Sequence, residues 1–244
     1  MPDLNHASAS PTVKPTIVFV HGAFADSASW NGVIPLLQSK GYRVVAAANP
    51  LRSVSSDASY VSGLVAAIPG PVVLVGHSYG GAVISAAANG NANVKSLVYV
   101  AAFAPDQGEA AAELAGKFPG GTLGEALAAP ITLKEGGVDL YIDQAKFHQQ
   151  FAHDVSPSQA ALMAAGQRPI TEAALTEAAG EPAWKTLPSW FVYGSGDKNI
   201  PAEGLRFMAE RAGSKRTVVV EGASHVVMVS QPHAVAELIE EAAR

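Results

Sequence analysis

The chain has 244 residues, of which 48% are hydrophobic and 15% are charged, and its formal net charge is -5. This length and apolar content predict a folded domain with a large core and exclude a disordered chain. A net negative charge without a basic cluster argues against nucleic acid as a partner. Because the chain has no cysteine, disulfides, thiolate metal sites and cysteine catalysis are excluded.

The sequence gives no sign of a membrane segment. Residues 1–15 are polar and contain proline, and no later stretch is long and apolar enough to cross a bilayer. We therefore expect no membrane partner and a cytoplasmic location. The oligomeric state stays open at this stage.

Short β-branched runs alternate with helical patterns along most of the chain. The predicted strands are residues 16–20, 43–47, 72–75, 94–100, 189–193 and 216–220. The predicted helices are residues 28–40, 57–68, 79–89, 201–213 and 231–243, and Asp57 is expected to be the N-cap of the second one. Since these helices are long enough to be crossovers, the pattern predicts an α/β fold with a doubly wound, mostly parallel sheet of about six strands.

One interval, residues 105–187, is far longer than a single crossover needs. Three stretches inside it are typical of helices, residues 109–117, 144–153 and 158–167. Residues 131–133 and 138–142 flank a short polar turn and predict a hairpin. We interpret this interval as a cap of helices and a hairpin over the carboxyl edge of the sheet. The core then consists of residues 1–104 and 188–244.

The cap has eleven acidic and five basic residues, so it is clearly more acidic than the core. An ordinary solvated outer face explains this composition. Alternatively, an acidic cap would repel anionic substrates through its field.

Residues 76–80, Gly-His-Ser-Tyr-Gly, form a GxSxG motif between a predicted strand and a predicted helix. Such a strand–turn–helix context is what a nucleophile elbow requires, because the two glycines let the arms of the turn approach each other. Ser78 is therefore the candidate nucleophile. Because the turn opens a helix, the amide of Tyr79 is a candidate oxyanion donor.

A serine nucleophile needs a base and an orienting carboxylate, and both follow later in the chain. Asp197 follows the fifth predicted strand and His225 follows the sixth, so both are expected at the sheet edge that carries Ser78. The order Ser78, Asp197, His225 is typical of a hydrolase triad on such a sheet. Asp106 is a second candidate acid, although Pro-Asp is also typical of a plain turn. We expect the histidine next to the nucleophile, His77, to pack in the core.

The loop after the first predicted strand is expected to supply the second oxyanion donor. It contains Gly22, which permits a tight turn, and the amide of Ala23 is the first choice, with that of Phe24 as the alternative. Candidate substrate-binding side chains near the loops and the cap, each also readable as core packing, are Phe24, Phe103, Phe147, Phe151 and Met228. No histidine spacing indicates a metal, and nothing indicates a cofactor.

Taken together, these residues resemble those of a small α/β-hydrolase, most of all the plant methylesterase and hydroxynitrile-lyase branch and its bacterial esterase relatives. The matching segments span nearly the whole chain: residues 21–23, Trp30, residues 76–81, Asp197 and His225. The resemblance implies a cofactor-free serine esterase with a mixed helix and hairpin cap, and it supports Ala23 and Tyr79 as oxyanion donors. The lysine that holds cyanide in cyanogenic lyases of that branch is replaced by Val226.

We therefore expect a carboxylester hydrolase for small neutral esters that works through an acyl-enzyme on Ser78. One alternative keeps the triad but changes the chemistry to that of a lyase or a perhydrolase. Another is a small-molecule receptor with a hydrolase fold. Release of cyanide or peroxyacid would identify the first alternative, and binding without turnover would identify the second.

Overall fold

The computed structural model describes residues 13–244, so residues 1–12 of the predicted core lie outside the described part. Six strands of this part form a main sheet and three short ones form a second sheet. In chain order the strands are β1 (Thr16–Val20), β2 (Val44–Ala47), β3 (Val72–His77), β4 (Val94–Val100), β5 (Ile131–Thr132), β6 (Val138–Leu140), β7 (Ile170–Thr171), β8 (Ser189–Gly194) and β9 (Thr217–Val220).

Helices connect and cover these strands. They are α1 (Ile34–Ser39), α2 (Val54–Ala66), α3 (Tyr79–Ala87), α4 (Ala111–Gly116), α5 (Leu123–Ala126), α6 (Gln144–Phe151), α7 (Pro157–Gly166), α8 (Glu172–Thr176), α9 (Ala202–Arg211), α10 (Val227–Ser230) and α11 (Pro232–Ala242). Short 3-10 helices occupy Ser27–Trp30 and Ala183–Lys185. None of the helices within residues 13–244 has the length and apolar character needed to cross a membrane.

The main sheet has the strand order β2-β1-β3-β4-β8-β9, and every neighbouring pair is parallel. The predicted fold class is therefore confirmed. After β2 the chain crosses back over β1 to form β3, and Val20 at the end of β1 pairs with Gly76 near the end of β3. Ligand sites of open parallel sheets lie where the strand order reverses in this way.

Helices cover the sheet on both faces. On β4, Ser96 donates a hydrogen bond from its hydroxyl to the Ala242 carbonyl of α11, at 2.7 Å. The hydroxyl of Tyr99, also on β4, lies 2.7 Å from that of Ser85 on α3. Residues three apart on a strand point to opposite faces, so α11 and α3 lie on opposite sides of the sheet. This arrangement is the doubly wound one.

The predicted cap, residues 105–187, contains α4 to α8 and an antiparallel sheet of the order β5-β6-β7. The predicted hairpin is present as β5 and β6, while β7 was not predicted. Side chains and carbonyls of this segment contact the loops that follow β1, β8 and β9, so it lies at the carboxyl edge of the main sheet.

The cap enters and leaves the core at one place. The amide of Gly108 donates to the Ala179 carbonyl, and the amide of Ala179 donates to the Glu109 carbonyl, both at 2.8 Å. The Trp184 indole N–H donates to the Pro105 carbonyl at 3.0 Å. The first and last residues of the cap are thus tied to each other.

Two predicted helices differ from the observed ones. Residues 28–40 divide into the first 3-10 helix and α1. Helix α2 begins at Val54, with the Ser53 hydroxyl accepting from the Ser56 amide, so the predicted role of Asp57 as an N-cap is wrong. Asp57 is instead buried in the first turn, where its carboxylate accepts the Tyr79 hydroxyl at 2.9 Å.

Candidate active site

Ser78 lies between β3 and α3 with φ 53° and ψ -124°. A positive φ is unusual for a residue with a side chain and marks local strain. Its amide donates to the Val100 carbonyl at 3.3 Å, and its carbonyl accepts from the amides of Gly81 at 3.0 Å and Phe103 at 3.1 Å. The end of β4 and the segment after it therefore hold the serine in this conformation.

The approach of α3 to the sheet depends on the absence of a side chain. A Cβ atom on Gly80 would lie 2.3 Å from the Val20 carbonyl oxygen of β1. No real Cβ atom tolerates such a contact with backbone, so only glycine lets α3 begin this close to β1. The GxSxG pattern predicted this geometry correctly.

The loop after β1 lies directly against Ser78, since a Cβ atom on Gly22 would be 2.6 Å from that of Ser78. The amide of Phe24 is already used, because it donates to the Arg168 carbonyl of the cap at 3.0 Å. Within residues 13–244 the amides of Ala23 and Tyr79 have no acceptor. These contacts favour Ala23 over Phe24 as the partner of Tyr79 in stabilising an oxyanion.

His21 fixes the start of this loop. Its Nδ1–H donates to the Gly22 carbonyl at 2.9 Å, while its Nε2 accepts the Asn49 amide at 3.1 Å. Burial lowers the pKa of His21 to about 4. The neutral imidazole is thus the form that satisfies both hydrogen bonds, since a protonated ring has no acceptor to offer Asn49.

Asp197 and His225 form a buried pair, with Asp197 Oδ2 2.6 Å from His225 Nδ1. The other carboxylate oxygen accepts the amides of Asn199 at 2.8 Å and Ile200 at 3.0 Å. With Nδ1–H donating to the carboxylate, the lone pair of the histidine is on Nε2. Within residues 13–244 this Nε2 is buried and has no hydrogen-bond partner.

His77 connects the nucleophile strand to the loop of His225. Its Nε2–H donates to the His225 carbonyl at 3.0 Å, and the two rings lie 4.8 Å apart between centroids. Burial holds the pKa of His77 well below its usual range. His77 is therefore a packed core histidine, as expected, and it brings the segment of Ser78 and the base to one place.

Asp106, the second candidate acid, makes other contacts. Its carboxylate lies 2.6 Å from the Lys185 ammonium and accepts the Gln107 amide at 2.7 Å. The hydrogen bond from Lys185 lowers the pKa of Asp106. This residue is part of a half-exposed ion pair in a turn rather than a partner of His225.

The five predicted substrate-binding side chains are all buried. Three of them lie near His225. The Phe151 ring lies 5.1 Å from the His225 ring, 4.9 Å from the Phe147 ring and 6.3 Å from the Phe24 ring. Phe103 reaches the nucleophile turn through its amide, and Met228 lies in α10, just after the histidine loop. Phe24 also lines a cavity of about 270 Å³ between its loop and α7.

Sequence reasoning missed the polar side chains of the cap that contact the acid and histidine loops. The His153 Nε2–H donates to the Gly196 carbonyl at 3.1 Å, and Asp154 accepts the Ser224 amide at 3.1 Å. Burial by itself would raise the pKa of Asp154, but hydrogen bonding to Ser224 outweighs it and lowers the pKa. Gln150 of the cap is a further such side chain, because its amide donates to the Lys198 carbonyl. The sequence held a signal for this residue: it follows Phe147 by one helical turn, so the two side chains share a buried face of the helix.

Among residues 13–244 no group of three or more His, Asp or Glu side chains is placed to hold a metal ion.

The topology of the sheet and the geometry of these residues are those of the α/β hydrolase class. The profile of the Alpha/beta hydrolase family matches residues 17–238, and the chain belongs to this family.

Two proteins of similar sequence show which branches of the family this chain resembles. The chain is 27% identical over 241 residues to the alpha-hydroxynitrile lyase of Arabidopsis thaliana, covering 90% of this chain and 93% of that protein. It is 29% identical over 243 residues to the pimeloyl-[acyl-carrier protein] methyl ester esterase of Aeromonas hydrophila subsp. hydrophila, covering 93% and 94%. These matches confirm the predicted resemblance to that plant branch and to bacterial esterases.

Solved structures show the same fold. The crystal structure of polyneuridine aldehyde esterase superposes with a TM-score of 0.80 and 20% identity, covering 94% of this chain and 99% of that chain. At this identity the likeness concerns the fold alone.

Proposed function

We propose that this protein is a serine-dependent carboxylester hydrolase that acts on small neutral esters. The observation that carries the proposal is the 2.6 Å contact between Asp197 Oδ2 and His225 Nδ1, with the histidine's other nitrogen unpartnered within residues 13–244. A carboxylate on Nδ1–H selects the tautomer that can take a proton from serine, and it stabilises the imidazolium that results. Ser78, in its strained turn, is the proposed nucleophile.

The proposed reaction has two halves. Ser78 Oγ attacks the ester carbonyl carbon while its proton passes to His225 Nε2, and the amides of Ala23 and Tyr79 stabilise the tetrahedral oxyanion. Collapse of this intermediate breaks the bond to the alcohol oxygen, which takes the proton from His225. Water then attacks the acyl-enzyme and gives a proton to His225. The second collapse releases the acid and returns that proton to Ser78.

The surroundings of the site support neutral and small substrates. Ser78 is only 7% exposed, so a substrate has to enter a largely buried site, which favours a small ester. The side chains proposed to line the site are aromatic or thioether groups. A charged substituent would lose its hydration among them without gaining an ionic partner.

A panel of aryl and alkyl esters of graded acyl length tests the proposal. We expect turnover of short neutral esters, complete inactivation by a serine-directed phosphonate, and a loss of about 10⁶-fold in kcat for Ser78→Ala. Circular dichroism of the variant checks that the fold survives. Retention of most activity in Ser78→Ala, purified free of host esterases, would overturn the mechanism, and a wild type that turns over no ester would overturn the function.

Cyanohydrin cleavage is the second candidate, because the Arabidopsis alpha-hydroxynitrile lyase is among the relatives. The same base could take the hydroxyl proton of a cyanohydrin, and the cyanide would leave with the electron pair of the broken C–C bond. Val226, fully buried next to His225, supplies no cation for that leaving group. We expect no cyanide from aromatic or aliphatic cyanohydrins above the uncatalysed rate. If cyanide release depends on Ser78 and is faster than ester turnover, cyanohydrin cleavage replaces ester hydrolysis as the function.

A further inference from the structure

Helix α6 of the cap ends against the loop that carries Asp197. Its residue Gln150 is 7% exposed, and its amide nitrogen donates to the Lys198 carbonyl at 2.9 Å and to Asn199 Oδ1 at 2.8 Å. The amide oxygen accepts the Thr122 hydroxyl at 2.8 Å. Both N–H donors and the oxygen of this side chain are therefore used.

The partners of Gln150 are the residues that orient the acid. Asn199 gives its backbone N–H to Asp197 Oδ1, and its side-chain oxygen accepts from Gln150. One residue therefore connects Gln150 to the carboxylate.

Two further contacts of the same cap segment reinforce this connection. The Phe151 ring lies 5.1 Å from that of His225, and the His153 ring donates to the Gly196 carbonyl on the other side of Asp197. The acid loop is thus held from the cap on both sides of its carboxylate.

We propose that Gln150 is a positioning residue of the triad, which holds the acid loop so that Asp197 Oδ2 faces His225 Nδ1. The cap then completes the acid–base pair in addition to covering the site. The kinetic part of this inference rests on the proposed ester hydrolysis, whereas its geometric part does not.

Loss of Gln150 has a defined physical consequence. The Asn199 side-chain oxygen would lose its donor in a buried interface, and the Lys198 carbonyl would keep only the Thr122 amide, so the loop would move to find a new donor. A displacement of about 1 Å in a catalytic group lowers turnover by about 10²-fold. Substrate binding involves other residues, so the effect should be confined to kcat.

The test uses Gln150→Met, which keeps the length of the side chain and removes its hydrogen bonds. Gln149→Met is the matched control, because Gln149 is an exposed neighbour on the same helix. Proton NMR detects the Nδ1–H of His225, which a short hydrogen bond to a carboxylate shifts strongly downfield. Its absence in His225→Gln assigns the signal.

We expect the downfield signal to be unchanged in Gln149→Met. In Gln150→Met it should move upfield or disappear through exchange with water. On the best ester of the panel, kcat of Gln150→Met should fall about 10- to 100-fold with KM within about threefold, after titration of active sites with the phosphonate. A wild-type signal together with a wild-type kcat would overturn the proposal.

If Gln150→Met does not fold, Thr122→Val carries the test. It removes only the hydroxyl that orients Gln150, so we expect a kcat about two- to fivefold lower and an upfield shift of the same signal. No change in either measurement would overturn the positioning role. If wild type turns over no ester, the proposed function fails, while the NMR comparison still decides the role of Gln150.

Discussion

Ser78 is held by the main sheet, whereas Asp197 and His225 lie in loops that the cap holds. Within the described residues, the backbone of Ser78 bonds only to its own helix and to the end of β4 and the segment after it. The acid loop is bound by Gln150 and the histidine loop by Asp154, both from the cap. Ser78 therefore depends on backbone packing within the core, whereas His225 is held from the core by His77 and depends in addition on how the cap docks. Changes in the cap should affect proton transfer while leaving the nucleophile turn intact.

The largest expected effect separates the two candidate acids. Asp197→Asn should lower kcat by about 10⁴-fold, because an amide favours the wrong tautomer of His225. Asp106→Asn loses only a half-exposed ion pair with Lys185 and should change kcat by less than about threefold. Steady-state kinetics on one ester, with circular dichroism as the fold control, measures both. The opposite order would place the acid on the turn after β4.

Two glycine-to-alanine substitutions test how far the turn at Ser78 depends on close contact between α3 and β1. Gly80→Ala would push a methyl group into the Val20 carbonyl and should lower the free energy of unfolding by about 3 kcal/mol or more. Gly63→Ala, in the exposed interior of α2 with no heavy atom within 4 Å of the new Cβ, should raise it by about 0.5–1 kcal/mol. Denaturant unfolding compares the two. Equal effects would mean that α3 can shift away from β1 without loss.

The pH dependence of stability tests the neutral His21 that fixes the oxyanion loop. Its folded pKa of about 4 lies below the unfolded value of about 6.5, so between these values the unfolded chain binds the extra proton. The free energy of unfolding should therefore fall as the pH is lowered from 6.5 to 4, by about 3 kcal/mol from this group.

The variant His21→Asn isolates this contribution. Its stability should fall less over the same pH range, because the titrating group is gone while His77, whose pKa is lowered in the same direction, stays in both proteins. Denaturant titrations at several pH values give the two slopes. Identical slopes would contradict a neutral, buried His21.

The smallest expected effect concerns the acidic cap. Several of its carboxylates have structural partners: Asp139 pairs with Arg52, Glu109 pairs with Arg211, and Glu177 accepts the amides at the start of α2. Only a weak negative field from the cap should remain. The ratio of kcat/KM for a neutral ester to that for its carboxylate-bearing analogue should therefore be about two- to fivefold larger at low salt than at high salt. The pair is measured at low and high ionic strength. If the ratio of the two kcat/KM values does not change with salt, the acidic residues of the cap have only a structural role.

Much of this architecture was predictable because its signals are local. The strands of the main sheet are β-branched runs, and the elbow at Ser78 is encoded by five consecutive residues. Asp197 and His225 follow strand ends, so parallel topology alone directs them to the same edge.

The remaining features depend on partners that are distant in the sequence. The choice between Ala23 and Phe24 stayed open because the acceptor of the Phe24 amide, the Arg168 carbonyl, belongs to the cap. Asp57 looked like an N-cap, but Ser53 takes that position and the carboxylate turns to the Tyr79 hydroxyl. Strand β7 has two residues, too few for any periodicity to appear. Gln150 acquires its partners only when α6 docks on the acid loop.

The reciprocal hydrogen bonds between Gly108, Glu109 and Ala179 make the cap a module with adjoining ends. A segment of different length or sequence could be grafted between these points without stretching or cutting the sheet. Such a graft, however, would also discard the side chain that bonds to Lys198 and Asn199. Recombined caps should therefore yield folded proteins more often than active ones, and restoring a glutamine at the acid loop would be the first repair to engineer.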